Sequence, residues 1–187
     1  KAADKQKIKD FMAAAGLTVI PGSRIAATSR EAREAADGLG YPVMLKARAG
    51  GGGRGIRLVR EPEQLEAAFV SASAEAKAAF RDGALYVEKY ISPAKHIEMQ
   101  VLADEQGHAV CLGERDCSVQ RHNQKLIEES PAPTVTQTQR AELMELCSRA
   151  VKKLGYVGAG TLEFLYDGRS FYFMEMNVRL QVEHTVT

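Results

Sequence analysis

The chain has 187 residues, 45% of them hydrophobic, enough for one substantial domain or two small ones around a buried core. Lys and Arg number 25 against 24 Asp and Glu, and the net charge of +1 favours neither nucleic acid nor a membrane surface as a partner through bulk electrostatics. No apolar run is long enough to span a bilayer, and no charged-then-apolar leader opens at Lys1. Cys111, Cys117 and Cys147 are odd in number and lack C-x-x-C spacing, which argues against a disulfide framework or a zinc site and for a reducing cytoplasm. Both ends read as cut, one inside a helix and the other just past the richest polar stretch, so a piece of a longer protein is expected.

In chain order, Ile8, Phe11, Met12 and Ala15 have helical spacing over residues 4–15, with Gly16 as the stop. An extended piece over 17–20 runs into the Pro21-Gly22 turn. Thr28 or Ser29 caps a second helix ending near Leu39-Gly40. Residues 41–47 and 56–59 read as strands, joined by Arg48-Ala49-Gly50-Gly51-Gly52-Gly53-Arg54-Gly55. The glycines satisfy G-x-G-x-x-G, but a dinucleotide fingerprint needs a following helix and a Walker loop needs Gly-Lys-Ser/Thr, and neither is present. Strand, glycine loop, strand remains: bare backbone N–H groups can close over a polyphosphate while Lys46 reaches in as a point charge. A flexible hairpin without a ligand is the plain alternative, disfavoured by the ordering entropy of four consecutive glycines.

Pro62 opens an alanine-rich helix to about Phe80. Strands follow over 84–91, over 95–103 with His96, Glu98 and Gln100 on alternate positions, and over 108–112. The polar knot Arg121-His122-Asn123-Gln124-Lys125 reads by composition as a solvated loop. Thr136 or Thr138 caps a helix running to Leu154, and strand 160–166 returns through Asp167-Gly168 into FYFMEMNVRLQVEH, residues 171–184. That stretch alternates throughout, Glu175, Asn177, Arg179, Gln181 and Glu183 against Met174, Met176, Val178, Leu180 and Val182. As one strand it would present an aliphatic core face and a polar face. The same period fits an ordinary strand with its polar face in water. The inventory points to a site, because two carboxylates and an amide suit a hard cation and the Arg fork suits an oxyanion. Glu163, on the neighbouring strand, could reach the same metal as Glu175.

KARAGGGGRG, EKYI with KHIEMQVLAD, GERDCSVQ, QKLIEESPAP, GTLEFLYD, FYFMEMN and RLQVEH together resemble the biotin carboxylase component of biotin-dependent carboxylases, in the family's order across nearly the whole chain. The resemblance implies an α+β, ATP-grasp fold with an entry helix (1–17), a small lid subdomain with the glycine-rich loop (18–90) and part of the larger antiparallel-sheet subdomain (91–187). It implies ATP, Mg²⁺ or Mn²⁺, bicarbonate and biotin brought on a carrier domain, together with a carboxyltransferase partner and a homo-oligomeric parent. Carried over by position, Lys5, Lys46 and Gly51, Gly52 and Gly53 resemble the phosphate-holding groups. Glu88, Lys89 and Ile91 resemble the adenine linker, and His96 and Gln120 the ribose contacts. Asn123 stands near the phosphates where the family commonly has His. Glu163, Glu175 and Asn177 resemble the metal ligands, and Lys125, Arg179, Gln181, Val182 and Glu183 the bicarbonate site.

The implied reaction is ATP-dependent carboxylation of biotin through carboxyphosphate, with Glu183 as general base and Arg179 and Lys125 assisting. Val178 and Thr185 depart from the usual Thr and Pro without removing a candidate ligand. Two alternatives stand beside this: another ATP-grasp ligase of the carbamoyl-phosphate type, and a nucleotide-binding piece without turnover.

Overall fold

In the computed structural model, which describes residues 5–49 and 54–187 (the backbone alone at Lys5), the helices begin and end at residues whose chemistry accounts for them. Helix α1 spans Lys5–Ala14 and stops before Gly16. Helix α2, Ser29–Leu39, is capped by the Thr28 hydroxyl, which accepts from the Glu31 N–H at 3.2 Å. Pro62 enters α3, Leu65–Phe80, through a 3-10 turn. Thr136 and Gln139 form a reciprocal capping box on α4, Gln137–Leu154, with Lys152 and Lys153 in its last turn where cations suit the exposed carbonyls. The glycine run Gly50–Gly53 lies outside the described residues, and so do the side chain of Lys5 and its expected role.

The chain divides into two units. One, Ile20–Ile91, is a four-stranded antiparallel sheet of β1 (Gly22–Ala26), β2 (Val43–Ala47), β3 (Ile56–Val59) and β4 (Leu85–Lys89), in the order β1-β4-β2-β3. Its core takes alternate strand residues, Val43, Leu45, Leu85 and Val87, with Val59, against Ala32 and Ala36 of α2 and Leu65, Phe69, Ala72 and Ala76 of α3. The alanines let the helix lie close to the sheet. Strand β1 has no counterpart in the sequence reading, because its five residues are mostly exposed and carry no apolar period.

The other unit joins Ser92–Thr187 to the N-terminal segment ending at Val19. Its sheet comprises β5 (Lys95–Ala103), β6 (Ala109–Arg121), β7 (Gln124–Glu129), β8 (Gly158–Tyr166) and β9 (Phe171–Asn177), in the order β7-β6-β5-β8-β9 and antiparallel throughout. Val19 adds a parallel bridge to Phe173 at the β9 edge. One face carries Met99, Val101, Leu162, Phe164 and Phe173 against Met12 of α1 and Leu143, Cys147, Ala150 and Val151 of α4. The opposite face carries His96, Glu98 and Gln100 of β5.

Three expectations are corrected. The polar knot is a two-residue hairpin turn: Arg121 pairs with Gln124, and His122 (φ 53°) and Asn123 (φ 62°) are both left-handed, the turn whose twist matches paired strands and favours Asn. The strand expected over 108–112 extends to Arg121 as β6, and β7 follows the turn. The strand expected over 171–184 ends at Asn177; residues 178–181 are irregular and Val182–Val186 form a 3-10 turn. Its supposed core row is exposed, with Val178 at 58%, Leu180 at 52% and Val182 at 88%.

The alternation of β9 is also interrupted. Phe173 pairs with Phe164 but Glu175 pairs with Glu163, so Met174 is an extra residue. Phe171, Phe173, Glu175 and Asn177 share one parity in sequence, and an unbroken strand would put all four on one face. The bulge turns Phe171 and Phe173 to the core while Glu175 and Asn177 face the same way as Glu163 and Thr161.

Gly55 is held against its sheet: its φ is +67°, its carbonyl accepts from Ala47 N–H at 2.9 Å, and an added Cβ would meet Ala47 Cβ at 2.7 Å and Ala76 Cβ at 3.4 Å. Gly55→Ala is therefore expected to destabilise the chain by about 1–3 kcal/mol, measured as a lower urea midpoint at unchanged m.

Candidate active site on the polar face of the five-stranded sheet

The register of the sheet stacks polar residues side by side. Glu98 stands opposite Arg115 on one side and Glu163 on the other, Gln100 opposite Thr161, Glu163 opposite Glu175, and Thr161 opposite Asn177. At the centre is Arg115, fully buried with its guanidinium donors all engaged. Nε donates to Glu98 Oε2 at 2.9 Å; Nη1 donates to Gln100 Oε1 at 2.9 Å and Thr187 Oγ1 at 3.1 Å; Nη2 donates to Thr161 Oγ1 at 3.1 Å and Gln181 Oε1 at 2.7 Å. Nη2 also lies 2.8 Å from Glu98 Oε2. An unpaired buried guanidinium would cost several kcal/mol, and this one is offset by a buried carboxylate and a full set of acceptors.

Lys125, next to the hairpin turn, reaches this face from β7. Its Nζ contacts both Glu98 and Glu183, and lies 3.9 Å from Glu163. Burial opposes its charge, but hydrogen bonds to Glu183 and Glu98 and the Glu163 and Glu98 charges outweigh that and hold its pKa well above the ordinary lysine value. Burial likewise pushes the Glu183 carboxyl up, and the Lys125 hydrogen bond, a backbone hydrogen bond and the Lys125 and Arg115 charges bring it below the usual range. Glu183 is thus an anion held beside an ammonium.

Glu163 is buried and accepts from several donors. His96 Nε2 lies 2.9 Å from Oε2, Gln181 Nε2 donates to Oε1 at 3.3 Å, and Asn177 Nδ2 donates to Oε1. Burial raises its pKa, while the His96 hydrogen bond, the Lys125 charge and the Gln181 hydrogen bond carry it below the usual carboxylate value. Gln120 Nε2 sits 2.8 Å from His96 Nδ1 and 2.7 Å from the Cys117 carbonyl; an amide nitrogen only donates, so Nδ1 accepts and Nε2 carries the proton toward Glu163. Cys117 packs beneath, its thiol pushed by burial to about 12 and so kept protonated.

The structure brings Glu163, Glu175, Asn177, Lys125, Gln181, Glu183, His96 and Gln120 to one face. It does not bring Arg179 to them: Arg179 is exposed and its Nη1 donates to the neighbouring Leu180 carbonyl at 3.1 Å. Val182 is the most exposed of the large apolar residues described, and Asn123 occupies the hairpin turn. Within the unit Ile20–Ile91, Lys46 Nζ lies 2.6 Å from Glu88 Oε2, the two side chains sharing the sheet face opposite the helices. Lys89 Nζ donates to the Gly40 and Tyr41 carbonyls at 2.8 and 3.3 Å, tying β4 to the end of α2. Ile91 is half-buried just beyond β4.

Sequence reasoning missed Glu98, Gln100, Arg115 and Thr161. Their signal was present: His96-x-Glu98-x-Gln100 alternates with an aliphatic row just as Glu175-x-Asn177 does. Two facing carboxylates and an amide oxygen form a hard-oxygen set suited to Mg²⁺, and carboxylates opposed across a ladder repel in a way that a divalent cation would offset. His96, Glu98 and Glu163 also offer ligand atoms within 4.8 Å of one another, but the Lys125 ammonium already sits on Glu98.

The family model for the carbamoyl-phosphate synthase L chain, ATP binding domain, matches residues 4–187. A biotin carboxylase of a Nostoc species is 50% identical over 98% of this chain and 42% of that protein. Mouse methylcrotonoyl-CoA carboxylase subunit alpha, mitochondrial, is 51% identical over 98% of this chain and 26% of its own length. Among solved structures, the Campylobacter jejuni biotin carboxylase–beta-gamma-ATP complex matches with a TM-score of 0.94 and 53% identity, covering 98% of this chain and 42% of that one. The biotin carboxylase domain dimer of Hydrogenobacter thermophilus 2-oxoglutarate carboxylase, in complex with MgADP, ADP and bicarbonate, matches with a TM-score of 0.94 and 49% identity, covering 97% and 41%. The chain spans less than half the length of these relatives. Matched by that model from residue 4 to its last residue and superposing on these structures, the chain belongs to the carbamoyl-phosphate synthase L chain, ATP binding domain family and has the ATP-grasp fold.

Proposed function

We propose that the protein this chain belongs to is a biotin carboxylase, an ATP-dependent ligase that carboxylates carrier-bound biotin with bicarbonate through carboxyphosphate. The observation that carries the reading is the Lys125–Glu183 pair beside Gln181, set on the same face as the opposed Glu163 and Glu175. A cation and an amide donor suit a small planar oxyanion, and an ionised carboxylate at the same point suits proton removal from it. Glu163, Glu175 and the Asn177 amide would hold Mg²⁺ or Mn²⁺, which supplies charge neutralisation on transferring phosphate. Lys5, Lys46 and Gly51–Gly53 are assigned to the phosphates, and Glu88, Lys89 and Ile91 to the adenine. His96 and Gln120, already bonded to each other, are assigned to the ribose, and Asn123 to the phosphate side.

Lys125 and Gln181 orient bicarbonate, the Val182 backbone borders it, and Glu183 accepts its proton as it attacks the γ-phosphate. Arg179 is assigned to the same bicarbonate site with a catalytic role, although its guanidinium lies outside the cluster in this structure. A biotin carrier domain and a carboxyltransferase complete the reaction, and the parent is a homo-oligomer. The described residues contain no helix long and apolar enough to cross a membrane. Cys111, Cys117 and Cys147 are all free thiols, and a reducing cytoplasm is proposed on that ground.

ATP hydrolysis by the full-length parent should depend on both bicarbonate and biotin; hydrolysis indifferent to both would sink the assignment, and an acceptor screen separates it from a carbamoyl-phosphate-type ligase. Glu183→Gln should lower bicarbonate-dependent turnover by about 10²–10⁴-fold with the KM for ATP little changed, checked by steady-state kinetics. Glu175→Gln should raise the Mg²⁺ concentration needed for MgATP binding by at least about tenfold, measured by calorimetric titration.

A further inference from the structure

We infer that Arg115 is the positioning residue that decides which end of the Gln181 amide faces the oxyanion site, an inference that rests on the bicarbonate reading above. A guanidinium carries five N–H donors and no acceptor, so whatever it meets must offer oxygen. Nη2 takes the Gln181 Oε1 at 2.7 Å, and the Gln181 Nε2 is therefore turned away from Arg115 and toward Glu163, 3.3 Å off, on the face that holds Lys125 and Glu183. Gln100 is sorted the same way, its oxygen 2.9 Å from Nη1 and its nitrogen donating to the Gly160 carbonyl at 3.0 Å. Without this constraint, a glutamine amide can rotate by half a turn and present oxygen instead of N–H₂, which repels an anion.

The same guanidinium fixes where Gln181 stands. Residues 178–181 are irregular, the flanking Leu180 and Val182 are exposed, and Gln181 is buried among them. Arg115 holds Gln181 and Thr187 from the two sides of the intervening 3-10 turn that carries Glu183. Through Glu98, which also contacts Lys125, it is joined to the second cation of the site. Arg115 therefore acts at one remove: it makes no claim on bicarbonate itself but sets the polarity and place of the groups that do.

The test uses the full-length parent with Arg115→Lys, which keeps the charge but not the fork, and Gln181→Glu, which still accepts from Arg115 but offers no donor. Both should raise the KM for bicarbonate, Arg115→Lys by about tenfold, the loss of one hydrogen bond to a charged group, and Gln181→Glu by at least as much; Arg115→Lys should leave the KM for ATP within about twofold. Amide hydrogen exchange over residues 178–187 should quicken in Arg115→Lys while strands β5 and β8 keep their protection. An unchanged bicarbonate KM, or equal rises for bicarbonate and ATP in Arg115→Lys, would overturn the inference. If the wild-type parent proves indifferent to bicarbonate, the functional reading fails by itself, and unchanged exchange over 178–187 then overturns the anchoring role separately. Should Arg115→Lys not fold, Thr187→Val removes one acceptor only and is expected to quicken exchange at the end of that segment; no change there counts against the proposal.

Discussion

Everything on the polar face of the five-stranded sheet depends on burying the Arg115 guanidinium against the Glu98 carboxylate. Either charge alone in that position would be costly, and the pair is tolerable because five acceptors surround the guanidinium and Lys125 takes the other side of Glu98. Buried ionic groups are a weak source of net stability, so the role of this pair is better read as specification. It commits Gln100, Thr161, Gln181 and Thr187 to one arrangement, and with them the irregular segment that follows β9. The sheet supplies rigid backbone and the charge pair supplies the position of a segment with little regular structure of its own.

A second constraint is the extra residue at Met174. A strand has only two faces, and β9 must serve an aromatic core with Phe171 and Phe173 and a carboxylate cluster with Glu175 and Asn177. One inserted residue resolves this without a second element. The edge-to-face packing of Phe164 on Phe173, with centroids 5.8 Å apart, anchors the core side directly below the point where Glu163 and Glu175 meet. In the other unit, Lys46 and Glu88 hold each other at 2.6 Å on the sheet face opposite α2 and α3, so the lysine assigned to phosphate is oriented by a buried carboxylate.

Much of this was legible in the residues. Thr28, Thr136 and Pro62 announce helix starts through side-chain chemistry that acts within one turn, and the helices begin there. Strands β2, β3, β5 and β8 follow from apolar alternation. The elements that escaped detection are those whose signal is not local: β1 is short and exposed, and β7 alternates too weakly to stand apart from the polar knot before it. The knot looked solvated because composition cannot distinguish a loop from a two-residue hairpin turn whose defining property is positive φ at His122 and Asn123.

The sequence by itself determined the four helices and most of the strands, the opposition of Glu163 to Glu175 across a short turn, and, through shared motifs, the family. Those features depend on spacing along the chain and on chemistry within a few residues. Tertiary structure alone decided where β9 stops, which parity faces the core, and that Arg115, separated from Gln181 by more than sixty residues, governs that amide. The alternation from Phe171 to His184 carries no mark of its break at Met174 or its end at Asn177. Both are consequences of packing against Phe164 on one side and of a buried guanidinium claiming Gln181 on the other, and neither partner lies on the strand itself.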